Sequence, residues 1–142
     1  MTQDRKRSII IITERNMGIL QSLIDIARPT NEDDQENLER LEEELYHANI
    51  VEPEKISLEV VTINSKVQLR QIGSNLEIIF TLVFPSDAEL SELKISILAP
   101  IGLAVIGRQT GDTIEWKAPG GIKRAKIEKM LYQPEAVEGA KL

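Results

Sequence analysis

The apolar residues of this 142-residue chain change their period once, near Val60, and that change limits the fold more than any other feature. Before it, Met17, Leu20, Ile24 and Ala27 are spaced three, four and three, and Leu38, Leu41, Leu45 and Ala48 repeat the spacing. Each row makes a stripe along a helix, and two rows separated by a break predict a short antiparallel helical hairpin, a coiled-coil finger. Thr13 is placed to cap the first helix, with Glu14 in its first turn. Pro29-Thr30-Asn31 interrupts the pattern, and Thr30 or Asn31 can cap the second helix beside Glu32, Asp33 and Asp34. Asn49 and then Pro53 close it. About 14 residues per arm, at ~1.5 Å each, give a reach of about 20 Å.

After Val60 the period is two. Leu76, Ile78, Phe80, Leu82 and Phe84 alternate with Glu77, Ile79, Thr81 and Val83, which marks a strand buried mainly on one face. Val67 and Leu69 mark the strand before it, and Gly73-Ser74-Asn75 is the turn between the two. Leu93–Leu98 is another short strand. Pro100 to Gly107 reads as a short helix with proline at its start and glycine at its end. Gly111-Asp112 turns the chain into a strand over Thr113–Lys117, and Pro119-Gly120-Gly121 turns it into a last strand over Lys123–Tyr132. The tail beyond Tyr132 is expected to be loose. The fold class is therefore α+β, with a helical hairpin over 1–55 and an antiparallel sheet domain with one short helix over 56–142.

Several function classes fall away on composition. Aromatics are Tyr46, Phe80, Phe84, Trp116 and Tyr132 alone, too few for an aromatic-lined pocket or a base-stacking platform. With no cysteine there is no disulfide scaffold, thiolate zinc site or cysteine nucleophile. Arg5-Lys6-Arg7 precedes an apolar run, but Ile9–Ile12 is far shorter than a signal peptide or a spanning helix requires. The expectation is a soluble cytoplasmic protein that does not associate with membranes. Between Asn31 and Glu59, eleven acids face only Arg40 and Lys55, a balance of −9 within a total of −6. Such an arm suits a basic protein surface better than duplex phosphates, although an acidic helix face is most often simply solvated.

Local motifs give little chemistry. His47, the single histidine, sits at the end of the second helix, where the dipole favours it, and one histidine builds no triad. Gly102 and Gly107 imitate the glycine spacing of a phosphate loop, but Arg108-Gln109 follows instead of Lys-Ser/Thr. Asp25, Glu32, Asp33 and Asp34 gather near the hairpin tip, where they either ligate a hard cation or cap and solvate the helix ends. Pro100 and Ile101, with Leu98 before them, form either an apolar contact patch or the core face of the short helix. No catalytic residue, cofactor or metal ligand is assigned.

The run Ala99-Pro100-Ile101-Gly102-Leu103-Ala104-Val105-Ile106-Gly107, then Gly111-Asp112 and Pro119-Gly120-Gly121, resembles the C-terminal signature of the Gre-type transcript cleavage factors. Val61-Thr62-Ile63-Asn64-Ser65 agrees with it. The ending Tyr132-Gln133-Pro134-Glu135-Ala136 and the short N-terminal region look closer to the Rnk branch, named for regulation of nucleoside diphosphate kinase. The resemblance covers 60–136 strongly and 9–52 reasonably. It implies a finger joined to an FKBP-like (FK506-binding-protein-like) domain that docks on RNA polymerase, at a coiled-coil projection of the large β′ subunit on the secondary-channel rim. DNA is then met only through the elongation complex. Docking maps onto Leu98, Ala99, Pro100 and Ile101; Leu98 stands where several Gre factors carry Asp or Asn, so a polar contact is missing or replaced.

In Gre factors two acidic residues at the tip help to hold a catalytic Mg²⁺ in the polymerase. The finger here looks less than half as long, so the resemblance implies a non-enzymatic modulator that occupies the channel and competes with cleavage factors. No nucleotide site is visible, so any effect on nucleoside diphosphate kinase is expected to be indirect. Two other readings stay open. One is an FKBP-like prolyl isomerase, for which the aromatics needed for a cradle are scattered. The other is a self-associating hairpin, a weak homodimer through Ile19, Leu23 and Ile26.

Overall fold

Both helical stripes become helices in the computed structural model, which describes residues 9–140; Arg5-Lys6-Arg7 lies outside the described residues. Helix α1 spans Glu14–Ile26 and α2 spans Glu32–Tyr46. The Thr13 hydroxyl accepts from the Asn16 N–H at 3.1 Å, and Asn31 Oδ1 accepts from the Asp34 N–H at 2.8 Å. Each cap satisfies a donor that the first turn of a helix leaves unpaired. With 13 and 15 residues, the arms rise about 20 and 22 Å. Among the described residues no helix is long and apolar enough to cross a membrane.

The hairpin does not bury its stripe against itself alone. Met17, Leu20, Leu41 and Leu45 belong to the same buried cluster as Ile10, Ile12, Val61, Ile63 and Leu103. The base of the hairpin is thus seated on the sheet. Its far end, from Asp25 through Glu36, is exposed apart from the half-buried Ala27 and Pro29.

Five strands form the sheet in the order β5-β4-β3-β7-β6, with β3 at Lys66–Gln71, β4 at Glu77–Val83, β5 at Lys94–Ser96, β6 at Thr113–Ala118 and β7 at Gly121–Tyr132. Strands β3 and β4 pair antiparallel, with Leu69 opposite Ile78; their turn places Gly73 and Asn75 at positive φ, which those residues tolerate best. Strand β7 runs antiparallel to both β3 and β6. Alternate residues Val67, Leu69, Phe80, Leu82, Ile114, Trp116, Ala125 and Ile127 are buried in one core with Leu103, Ala104 and Val105 of helix α3, Pro100–Val105. Between β3 and β7, Arg70 donates to Glu128 from Nε at 3.1 Å and Nη2 at 3.2 Å, and Gln68 adds a third bond at 3.0 Å. The bonds from Arg70, then Gln68, hold the Glu128 carboxyl below the usual carboxylate range.

Three features differ from the sequence expectation. The sheet is antiparallel except at its edge, where β5 runs parallel to β4 with Ile95 opposite Leu82. Single-turn 3-10 helices at Pro85–Asp87 and Leu90–Glu92 carry the chain back before β5 starts. Alternation fixes which face a residue takes, not which way its strand runs.

The short run at Ile9–Ile12 contributes strand β1, Ile11–Thr13, which pairs parallel with β2 at Asn49–Val51, just after α2. The tail is ordered: Pro134–Ala140 is helix α4. Buried Gln133 donates to the carbonyls of Ser57 at 2.9 Å and Val60 at 2.7 Å, and the Thr62 hydroxyl donates to Glu135 Oε1 at 2.7 Å. The Ser65 hydroxyl lies 2.9 Å from that of Thr62, so the 61–65 and 132–136 motifs meet in space.

Candidate functional site

The segment Leu98–Ile101 leaves the edge strand β5 and enters α3. Buried Ile97 anchors it by donating to the Val83 carbonyl at 2.9 Å. Ser96 then shapes the turn: its hydroxyl accepts from Leu98 N–H at 2.9 Å and its carbonyl from Ala99 N–H at 3.0 Å. Ala99 is the N-cap without a side-chain bond, and Pro100, with no N–H to leave unpaired, occupies the first turn. Leu98 and Ile101 pack against the core, Ala99 is half-buried, and Pro100 is exposed. Leu98 and Ile101 face inward far enough to serve the core, while Pro100 presents an apolar surface to solvent.

Helix α2 reaches this segment. Asn37 Nδ2 donates to the Leu98 carbonyl at 3.4 Å. Deeper in the joint, Arg108 Nη2 lies 3.2 Å from Glu44 Oε2, with each side chain only 9% exposed. Asn16 of α1, also buried, accepts from the Ile63 N–H at 3.2 Å. These three contacts tie both arms to the sheet domain. In the sequence Glu44 is one acid among eleven, and Arg108 is a departure from the phosphate-loop pattern. Their signal was periodic, since Glu44 falls between Leu41 and Ala48 on the buried stripe and Asn16 precedes Met17 on its own.

The tip acids are brought to one end of the hairpin. Asp25 is in the last turn of α1, while Glu32, Asp33 and Asp34 fill the first turn of α2. All four are exposed. Asn31 Nδ2 also donates to Asp34 Oδ2 at 3.3 Å. Arg28 covers the end of α1 by donating to the carbonyls of Ala27 at 2.9 Å and Asp25 at 3.3 Å. The acids thus complement the positive end of α2 and Arg28 the negative end of α1. Among the described residues no group of three or more histidine or carboxylate side chains is arranged to hold a metal ion.

The remaining candidates are dispersed. His47 follows α2, its ring edge-on to Tyr46 at 5.0 Å, and both are exposed. Gly102 lies inside α3 and Gly107 just beyond it, at φ 76°. Gly107 donates to the Val61 carbonyl at 2.9 Å and accepts from Ile11 N–H at 3.1 Å, so its backbone joins β1 to the sheet domain instead of facing a phosphate. Phe80 and Trp116 are buried in the core and Phe84 packs on it, which spends the aromatics a prolyl-isomerase cradle would need. On α1, Ile19 and Ile26 are exposed but Leu23 is partly covered by the core, so that flank is interrupted.

Comparison with known proteins adds the family context. A family profile described as transcription elongation factor GreA/GreB, C-terminal, matches residues 55–132, and one described as the Rnk N-terminus matches 9–51. The chain is 37% identical over 97 residues to a regulator of nucleoside diphosphate kinase from Escherichia coli K12, covering 68% of this chain and 71% of that protein. It is 31% identical over 124 residues to transcription elongation factor GreA of Clostridium acetobutylicum, covering 82% and 78% respectively. A solved structure described as a prokaryotic transcription elongation factor GreA/GreB from Nitrosomonas europaea matches with a TM-score of 0.74 at 38% identity, over 89% of this chain and all of that one.

Proposed function

This chain belongs to the GreA/GreB family of transcription elongation factors, with an Rnk-type N-terminal region, and from that premise we propose that it binds RNA polymerase at the secondary-channel rim and regulates elongation by occupancy. Leu98, Ala99, Pro100 and Ile101 meet the coiled-coil projection of the β′ subunit, and Pro100 supplies the exposed apolar contact. The hairpin enters the channel mouth and excludes cleavage factors without stimulating cleavage itself.

The observation that carries this reading is arm length. Helices of 13 and 15 residues end about 20 Å from their base. A carboxylate ligates a Mg²⁺ directly at ~2.0–2.1 Å, or acts on its bound water from hydrogen-bond distance of that water, about 2.6–3.2 Å. Asp25, Glu32, Asp33 and Asp34 stop short of that in a channel that takes a finger more than twice as long to thread. Their charge serves instead to stabilise α2 and to meet basic side chains at the mouth.

The test uses stalled elongation complexes. The protein alone should leave the transcript uncut, and adding it in excess should suppress the cleavage that a Gre factor stimulates. Pro100→Asp, which puts a charge into an apolar contact, should weaken polymerase binding by roughly tenfold or more. Restored cleavage by the protein alone would overturn the occupancy reading, and undiminished binding by Pro100→Asp would overturn the assigned docking segment.

A further inference from the structure

Leu93 is a leucine in a backbone conformation that leucine avoids. It has φ 58° and ψ 38°, and among the described residues the other non-glycine positions at positive φ are both asparagine. A bulky side chain in the left-handed region crowds the following carbonyl, which glycine and asparagine escape or tolerate. The residue gains nothing from burial in return, since it is 56% exposed, and Leu90 three residues earlier is 78% exposed. Scattered surface leucines need no explanation, but two on one four-residue loop, one of them strained, do.

The loop holds them rigidly. Glu89 and Lys94 exchange backbone hydrogen bonds of 3.0 Å in each direction, and inside them Leu93 N–H donates to the Leu90 carbonyl at 2.9 Å. The Ser91 hydroxyl donates to Glu89 at 2.8 Å, and Lys94 Nζ lies 3.1 Å from Glu92. A loop fixed in this way loses little freedom on binding. On and beside the loop are the exposed carboxylates of Asp87, Glu89 and Glu92, against Lys94 and, on the side of Asp87, Lys66.

We propose that Leu90 and Leu93 form a second contact of the polymerase-docking surface, an apolar knob that enters an apolar hollow rimmed by Lys or Arg on RNA polymerase. This rests on the docking reading above. The occupant follows from continuity and charge. The knob opens into β5, the end strand of the sheet, and β5 leads directly to Leu98–Ile101. Pro100 is seven positions beyond Leu93, so the two contacts are at most about 25 Å apart, within the breadth of one interface of ~800 Å² per partner. The excess of carboxylates around the knob selects a basic rim.

Leu93→Asn separates folding from binding. It relieves the backbone and removes the knob, so Tm should rise by about 2–4 °C, while the dissociation constant for RNA polymerase should increase roughly tenfold or more. Wild type and Pro100→Asp are measured alongside, with sedimentation of each protein alone. If Leu93→Asn binds as wild type while Pro100→Asp is weakened, the knob is no contact and the docking reading stands. If wild type fails to bind polymerase, the docking reading falls and the knob falls with it. A lower Tm for Leu93→Asn would overturn the strain that motivates the proposal. A wild-type dimer that Leu93→Asn dissolves would assign the knob to a second copy of this chain and overturn it equally.

Discussion

Replacing Arg108 with alanine is expected to cost the fold about 2–4 kcal/mol, a large part of the ~5–15 kcal/mol that holds a domain together. The cost comes from a lost charge-assisted bond and from lost packing. Arg108 Nη2 lies 3.2 Å from Glu44 Oε2 with each side chain 9% exposed, so the bond is made where water competes poorly, and removing the guanidinium and its stem opens a gap in the joint. Removing both charges should cost far less. Glu44→Leu with Arg108→Met fills the joint with apolar atoms of similar size, and such exchanges are often neutral or better. The double variant should therefore be more stable than Arg108→Ala, and the two changes should be strongly non-additive. Urea unfolding of wild type, Glu44→Leu, Arg108→Met and the double variant measures this, with Arg108→Ala alongside. A loss below about 1 kcal/mol for Arg108→Ala, with no recovery in the double variant, would mean the pair behaves like a solvated surface bridge. Hydrogen exchange should show where the loss falls: protection in α1 and α2 should drop before protection in β3 and β7, because the pair ties α2 to the sheet domain.

Gly102→Ala is expected to destabilise by roughly 3 kcal/mol or more, against the direction helix propensity alone gives. In an open helix the exchange is favourable by about 1 kcal/mol. Here an added Cβ would overlap the Ser96 carbonyl oxygen and come 3.0 Å from Ile97 Cα. Neither atom can yield cheaply: the Ser96 carbonyl accepts the Ala99 N–H that starts the turn, and Ile97 is fully buried. The clash outweighs the propensity, and because it displaces Leu98–Ile101 it should, on the docking reading proposed above, also weaken polymerase binding. Gly18 in α1 is the control, since an added Cβ there has nothing within 4 Å. Gly18→Ala should stabilise by about 0.4–1 kcal/mol. Thermal melts of the two variants should move in opposite directions; equal shifts would mean that α3 slides to admit the methyl group.

Legibility in the sequence followed the range of the interaction. Caps at Thr13 and Asn31, the turn at Gly73-Ser74-Asn75 and the proline start of α3 involve residues at most four apart, and each stands where reading the chain places it. The tip acids were equally visible, because a charge run needs no partner to be seen. The site was legible only in part: Pro100 is identifiable as an apolar residue at a helix start, but its exposure beside the half-buried Leu98 and Ile101 depends on what α3 packs against. Strand β1 was missed because its partner β2 lies 38 positions away. Helix α4 was missed because the bonds that fix its start come from the 57–62 region.

By itself the sequence determined the order of α1 to α3 and of the five strands of the large sheet, the faces they bury and the short reach of the hairpin, since periodicity and helical rise are properties of neighbouring residues. Tertiary structure decided the rest: the parallel direction of β5, the seating of the hairpin through Glu44–Arg108 and Asn16–Ile63, and the left-handed Leu93. The first two join residues 13 to 64 positions apart, and the third is strain imposed by the closure of a loop. No local pattern encodes either, because their energies exist only once distant parts of the chain share the same space.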